Sequence, residues 1–328
     1  MRYSVVICTY NGERFIAEQI NSILAQTRRV DEILLFDDGS TDSTLSIAGQ
    51  LLSKGGIPYR ITKNEQNKGV ARNFIDGAQQ ASGDYIFFSD QDDVWKKTKV
   101  EIFHRHIVRT GKMLYFSDGI VVDEDLVQTG TLWRSVGFDH RREDISVTMF
   151  IKDIVTGAAS AVSREVAAMA ADIPPNVLHD RWLSLIAAAN DSIEFIRSYT
   201  FYYRQHSNNV VGAAAPGVVE QVRDRGVFNR EKTEKRCRDM ALVYEELKKY
   251  SSKENYPRVA ECARFWRSCE QLTRIGRAAG VKCVIRELFN GNYFRYRSGI
   301  VPAVRDLGFV LLGSAPSKER KMHESNTR

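Results

Sequence analysis

SVVICTY (residues 4–10), DEILLFDD (31–38), YRITKN (59–64) and DYIFFSD (84–90) are four short runs of strand character. Helix-like stretches separate them: GERFIAEQINSILAQ (12–26), TDSTLSIAGQLLS (41–53) and KGVARNFIDGAQQA (68–81). In the first, Phe15, Ile16, Ile20, Ile23 and Leu24 recur at helical spacing. In the second, Ser, Thr and Asp residues supply starting signals. Strand and helix alternating at this interval predict an α/β fold on a mostly parallel sheet. Ligands on such sheets sit beyond the carboxyl ends of the strands. The residues just after each strand are therefore the ones to read.

Thr9, Tyr10, Asn11 and Glu13 follow the first run, Asp37, Asp38, Gly39 and Ser40 the second, and Asp90, Gln91, Asp92 and Asp93 the fourth. One carboxylate in such a place is explained by a helix N-cap, which suits Asp42 or Ser40. Two acidic clusters at one sheet edge repel each other unless something positive lies between them. A divalent cation carrying a nucleotide diphosphate would be that positive element. Neither GxGxxG after a strand nor GxxxxGK[ST] is present, which disfavours a dinucleotide dehydrogenase and a P-loop NTPase. An aspartyl-nucleophile phosphotransferase would need a Lys and a second acidic pair beside FDDGST, and no such set stands out.

The blocks SVVICTYNGERFIAEQINSILAQT, FDDGSTDST, NKGVARNF and GDYIFFSDQDDVW, in that order, resemble glycosyltransferase family 2, whose fold is GT-A. The likeness is close over about the first 95 residues and looser to about residue 212. TGAAS (156–160), HDRW (179–182) and YRQHSNN (203–209) are similar to bacterial rhamnosyl- and galactosyltransferases of polysaccharide synthesis. The resemblance implies a nucleotide-diphosphate sugar donor, Mg2+ or Mn2+, and inversion at the anomeric carbon. It implies that Asp38 meets the pyrimidine, that Thr9, Tyr10, Asn11 and Glu13 surround the nucleoside, and that Arg72 approaches the nucleotide. Asp90-Gln91-Asp92 matches the DxD motif, with Asp90 at the ribose or metal and Asp92 on the metal. His206 matches a further metal ligand, although a histidine satisfied within a loop fits as well.

Breaking a sugar–phosphate bond builds charge on the diphosphate, and a metal stabilises it as a Lewis acid. The acceptor hydroxyl needs a general base. The resemblance points to Asp180 in HDRW, with His179 standing where Glu is commoner, so the proton role is open between the two. Asp180 also fits an N-cap of RWLSLIAAA. Trp95 and Trp182 flank the carboxylate motifs and are either sugar-stacking rings or core. Gly157 in TGAAS is the remaining candidate at the sugar or acceptor.

Residues 1–217 hold 23 Lys+Arg against 27 Asp+Glu, whereas residues 218–328 hold 24 against 14. The division expected is a catalytic domain over 1–212 and a basic helical region over 213–328. That region is interrupted by Arg305 and Asp306 and cannot span a bilayer. It suits an anionic membrane surface, through Phe294, Tyr296, Phe309, Leu311 and Leu312 beside Arg295, Arg297 and Arg305. Packing on the catalytic domain or pairing of two chains is the alternative. The final residues, SKERKMHESNTR, read as a frayed end. With 43% hydrophobic and 27% charged residues the chain is neither disordered nor fibrous. Five scattered cysteines without CxxC spacing suggest neither a zinc ribbon nor a disulfide scaffold. The opening residues carry no recognisable leader, so a cytoplasmic protein, peripheral to the inner membrane face, is expected. The expected partners are a dTDP- or UDP-sugar and a glycan or lipid-linked glycan acceptor, with no nucleic acid. A nucleotidyltransferase and a non-catalytic carbohydrate-binding module are the other classes weighed.

Overall fold

The computed structural model describes residues 1–206, 230–272, 274–297 and 299–312. Strand and helix alternate as the sequence predicts: β1 (Tyr3–Thr9), α1 (Ile16–Leu24), β2 (Glu32–Asp37), α2 (Thr44–Lys54), β3 (Tyr59–Lys63), α3 (Val70–Gln80) and β4 (Tyr85–Ser89). β1 is buried along its whole length and pairs in parallel with β2 and β4, while β2 pairs in parallel with β3. A strand buried on both faces reads as an unbroken apolar run, and SVVIC is one.

The second half of the sheet is mixed. β5 (Val94–Trp95), α4 (Lys99–Thr110), β6 (Leu114–Val122) and β7 (Gln128–Thr131) lead to α5 (Leu132–Ser135) and α6 (Ile145–Ile151). β8 (Ser160–Ser163), α7 (Arg164–Met169), α8 (His179–Ala188) and β9 (Ile193–Arg204) follow. The strand order is β3-β2-β1-β4-β8-β6-β9-β5, with β7 on β6. β8 is antiparallel to both β4 and β6, and β6 is parallel to β9. The core lies between the sheet and its helices, on Ile7, Ile20, Ile33, Phe87, Phe103 and Tyr115 among others.

The chain divides into two compact units, Met1–Ala215 with Leu242–Ala260, and Pro216–Ala241 with Glu261–Arg328. The boundary expected at 212/213 and the segment NNVVGAAAPG (208–217) fall outside the described residues, as does SKERKMHESNTR. The structure differs from the sequence reading in returning residues 242–260 to the first unit. The reason is a set of specific ties. The Tyr244 hydroxyl donates to the Phe150 carbonyl at 2.6 Å, and Arg258 Nη1 to the Ser146 carbonyl at 3.1 Å. Asn190 donates to the Tyr250 carbonyl, and Asn255 to Asp191, each at 2.7 Å.

The second unit is helical: α9 (Arg230–Leu247, shared with the first), α10 (Tyr256–Gln271, likewise), α11 (Arg277–Phe289), α12 (Asn292–Tyr296) and α13 (Ile300–Leu312). Several side chains expected at a membrane surface are core instead. Tyr296 and Phe309 are buried, and Arg297 is buried in an ion pair with Asp306. Leu312 carries no described side chain. Among the described residues no helix is long and apolar enough to cross a membrane.

Tyr244 is fully buried, so Tyr244→Phe strands the Phe150 carbonyl without a donor. We expect a loss of about 1–3 kcal/mol, read as a lower urea midpoint at unchanged m-value.

Candidate active site at the carboxyl ends of the strands

Two loops, after β1 and after β2, are stitched together by their own side chains. Asp37, at the end of β2, accepts from Thr9 Oγ1 at 2.9 Å and from the Ser40 amide at 2.8 Å. The Asn11 amide donates to Ser40 Oγ, and Asn11 Oδ1 accepts from the Thr41 amide, both at 2.9 Å. Glu13 and Asp42 exchange bonds with the opposite loop: Asp42 accepts the Glu13 amide at 3.1 Å, and Glu13 accepts the Ser43 amide at 2.9 Å. Asn11 and Glu13, expected to surround a nucleoside, thus shape the loop through their side chains. Tyr10 is 52% exposed and offers its ring to solvent.

Asp38 is buried. Its Oδ1 accepts from Asn64 Nδ2 at 2.9 Å and from the Lys68 amide at 2.8 Å, and its Oδ2 from the Gly69 amide at 2.9 Å. The carboxylate therefore pins the turn that starts α3. Gly69 sits there at φ 79°, a left-handed conformation that favours glycine. A carboxylate has room for about four hydrogen bonds, so one donor more fits on Oδ2. Arg72, by contrast, is held by Asp76 at 2.7 Å and by the Ala171 carbonyl at 3.0 Å. Its partners in the structure are a carboxylate on its own helix and a backbone carbonyl.

The acidic run after β4 is locked to the β1 loop by Gln91. Its Oε1 accepts the Tyr10 amide at 2.9 Å and its Nε2 donates to the Tyr10 carbonyl at 3.1 Å. Asp92 Oδ2 lies 2.9 Å from His206 Nε2, across 114 residues of sequence. The His206 ring packs on Phe15, with centroids 5.0 Å apart. Arg204 draws the end of β9 to the same place. Its amide donates to Asp93 Oδ1 at 3.1 Å, its Nε to the Asp92 carbonyl at 2.8 Å, and its guanidinium pairs with Glu18.

Burial raises the Asp90 carboxyl to about 7, and the Asp92 and Asp180 charges push the same way. Asp93 is also raised well above the usual carboxylate range, by burial first and then by Asp92 and Asp90. The Tyr203 hydroxyl is raised by burial and by Asp90, Asp93, Asp92 and Asp180 together. That shared influence places Asp180 in the same acidic field as the DxD aspartates. The cation set against this field is Lys99, fully buried, with Nζ donating to the Ala158 carbonyl and lying 3.9 Å from the Trp95 ring centroid. Burial lowers Lys99 to about 7, opposed by Asp93 and Asp90. Sequence reading named Asp93 within the acidic run but missed Lys99, Tyr203 and Arg204. The only signal for them was adjacency to motifs already noted.

Asp180 opens α8. Its Oδ1 accepts the Arg181 amide at 2.7 Å and its Oδ2 the Gly157 amide at 3.1 Å. Burial raises it to about 6 against those bonds. Arg181 fixes the helix start through Asp153 at 2.7 Å and the Lys152 carbonyl at 2.9 Å. Gly157 holds Asp180 by its backbone. A Cβ there would lie 2.4 Å from His179 Nε2, so the position admits only glycine without movement.

Three expectations change. Trp95 and Trp182 are 2% and 0% exposed and so cannot stack on a sugar. Trp95 supports Lys99, and Trp182 packs edge-on to Tyr250 at 5.9 Å. His179 is no rival to Asp180 as base. It is buried, stacked on Phe74 at 4.1 Å, with neither ring nitrogen hydrogen-bonded, and burial lowers it to about 3.

The donor chemistry suits a hard divalent cation. Asp92 and His206 present an oxygen and an imidazole nitrogen side by side, with Asp90 in the same field. No cluster of three or more His, Cys, Asp or Glu residues placed to hold a metal occurs among the described residues. A cation that also binds substrate phosphates needs only one or two protein carboxylates.

The glycosyl transferase family 2 model matches residues 4–168. The chain belongs to glycosyltransferase family 2. It is 35% identical over 169 residues to an uncharacterized glycosyltransferase of Nostoc, covering 44% of this chain and only 52% of that relative. It is 30% identical over 223 residues to the dTDP-rhamnosyl transferase RfbG of Shigella flexneri, covering 63% of this chain and 74% of RfbG. The chain thus spans about half the length of the first of these relatives. The crystal structure of S. aureus TarS 1–349 with UDP-GlcNAc aligns with a TM-score of 0.59 at 16% identity, over 95% of this chain and 81% of that one. That likeness is one of fold, and it is the GT-A fold expected from the sequence.

His179 is neutral in the fold and charges readily once unfolded, so it carries no proton-linked penalty above about pH 6.5 and a growing one as pH falls below that. His179→Phe keeps the stacked ring and removes the titration. The stability of the natural protein relative to this variant should fall about tenfold in folding equilibrium per pH unit below 6.5, read by urea unfolding from pH 7 to 5. A pH-independent difference would contradict it.

Proposed function

We propose that this family 2 enzyme is an inverting hexosyltransferase that moves L-rhamnose from dTDP-rhamnose to a hydroxyl of a glycan or lipid-linked glycan in cell-surface polysaccharide synthesis. The observation that carries the chemistry is Asp180, set at a helix start by two backbone amides in the same acidic field as Asp90 and Asp92. Its carboxyl, lifted to about 6, is matched to general-base work near neutral pH. Asp180 takes the acceptor's hydroxyl proton while that oxygen bonds to the anomeric carbon. The bond from that carbon to the diphosphate oxygen breaks, and its electron pair leaves with the nucleoside diphosphate. Attack opposite the leaving group inverts the centre.

Asp92 and His206, with Asp90 beside them, would hold Mg2+ or Mn2+. The ion supplies Lewis-acid stabilisation of charge on the departing diphosphate. Asp38 Oδ2 accepts a pyrimidine imide N–H, and Tyr10 lies exposed at the loop that would cover the nucleoside. The rhamnose reading rests on the similarity to RfbG. A UDP-hexose donor is the second reading, favoured by the UDP-GlcNAc bound to TarS of the same fold. Uracil and thymine differ by one methyl group, worth about 1–3 kcal/mol, so the sugar decides between them. A lipid-linked acceptor would keep the enzyme in peripheral contact with the inner membrane face.

The test is turnover of dTDP-rhamnose and UDP-galactose with Mn2+, reading nucleoside diphosphate release. Release of sugar 1-phosphate instead would indicate nucleotidyl transfer. We expect faster turnover of dTDP-rhamnose, and loss of about 10²–10⁴ in kcat for Asp180→Asn with nucleoside diphosphate affinity unchanged. As Asp180 must be ionised to act, kcat/KM should climb with pH to a plateau above about 6. Preference for UDP-galactose would overturn the sugar, and an active Asp180→Asn would overturn the base.

A further inference from the structure

Phe289 and Phe294, in α11 and α12 of the second unit, are 87% and 55% exposed, and no other phenylalanine among the described residues is exposed. On α13, Ile300, Val304 and Leu311 fall in one stripe at helical spacing with Val301 beside it, and all four are exposed. Ala303, Phe309 and Val310 occupy the other side and are buried. A helix apolar on both sides is ordinarily buried on both, and a contiguous exposed apolar patch marks an interaction site. Phe294 joins the patch, because its ring lies 3.6 Å from the Cβ position of Gly299, directly before Ile300.

A cavity of about 550 Å³ is lined by the residues that follow the two phenylalanines in sequence, Asn290 and Arg295. Arg264 and Arg286 line it too, with Glu261 and Glu287. The carboxylates serve the fold: Glu261 accepts from the Tyr296 hydroxyl and Glu287 from Asn292 Nδ2, each at 2.6 Å. Each also takes one arginine, Arg264 at 3.2 Å and Arg286 at 2.8 Å. A guanidinium has five N–H donors, so both retain donors for a further anion, and Arg295 adds a third cation.

We propose that the second unit docks on an anionic bilayer, with Phe289, Phe294, Ile300, Val301 and Val304 entering the interfacial zone and Arg264, Arg286 and Arg295 receiving a lipid phosphate. Charge complementarity selects this occupant. The segments of the second unit, 216–241 and 261–328, hold 20 Lys+Arg against 11 Asp+Glu, and a second copy would set that excess against itself. The inference deepens the reading of a lipid-linked acceptor. Vesicle binding is measured without donor or metal, so it succeeds or fails independently of the catalytic reading.

The test sediments the full chain with vesicles of phosphatidylcholine alone or mixed with phosphatidylglycerol, across a salt series. We expect binding to the mixed vesicles that weakens with salt. Phe289→Ser with Phe294→Ser should weaken it more than about tenfold at every salt concentration. Gln at Arg264, Arg286 and Arg295 should cost about fivefold per residue and flatten the salt dependence. All substituted side chains are exposed or half-exposed, and unchanged thermal unfolding verifies the fold. Equal binding to neutral vesicles, no binding to either, or binding indifferent to the phenylalanine substitutions overturns the proposal. So does a lipid-free dimer that the phenylalanine substitutions dissociate, which would assign the face to a second copy.

Discussion

Asp90, Asp92, Asp93 and Asp180 are gathered at one edge of the sheet, and the cost of their mutual repulsion is what the surrounding structure is arranged to meet. Lys99 is the internal answer, buried on Trp95 and Phe201 and held by the Ala158 carbonyl. One ammonium does not balance four carboxylates. Asp90 and Asp93 accordingly sit well above the usual carboxylate range, and Asp93 Oδ2 is buried without a hydrogen bond. A site strained in this way gains most from a ligand that brings positive charge, and a cation travelling with a nucleoside diphosphate is such a ligand.

The remaining polar groups at the strand ends hold geometry. Asp37 and Asp38, adjacent in sequence, face different tasks: one ties the β1 and β2 loops together, the other fastens the turn before α3. Gln91 joins the DxD run to the β1 loop through both directions of an amide pair. Loops fastened at this many points lose little further freedom when a ligand arrives, which favours binding.

The parallel half of the fold was legible because β1, β2 and β4 carry apolar runs ended by carboxylates, and strand ends are where such sheets bind ligands. The antiparallel insertion of β8 between β4 and β6 was not, since SAVS is too short to show a period. Asp90, Asp92, Asp180 and His206 were named from motifs, and the structure brings them into one field. The tryptophans misled because flanking a motif in sequence says nothing about burial; both rings point into the core. His179 misled for the same reason, as its neutrality comes from Phe74 and Phe88, distant in sequence. Nothing in WKKTK (95–99) sets Lys99 apart from its neighbours, and only the fold shows it buried. Of the apolar patch of the second unit, Phe294 and Leu311 were named from the sequence and are exposed, whereas Ile300, Val301 and Val304 were not named, because the exposed and buried faces of α13 are equally apolar.

The central claim is that the strand-end carboxylates form a site for a cation and a nucleoside diphosphate together. Isothermal titration of UDP and dTDP into the protein, with Mn2+ and then with EDTA, tests it most directly. The account predicts binding in Mn2+ that is lost in EDTA and strongly weakened by Asp92→Asn. Equal affinity with and without the cation would contradict it.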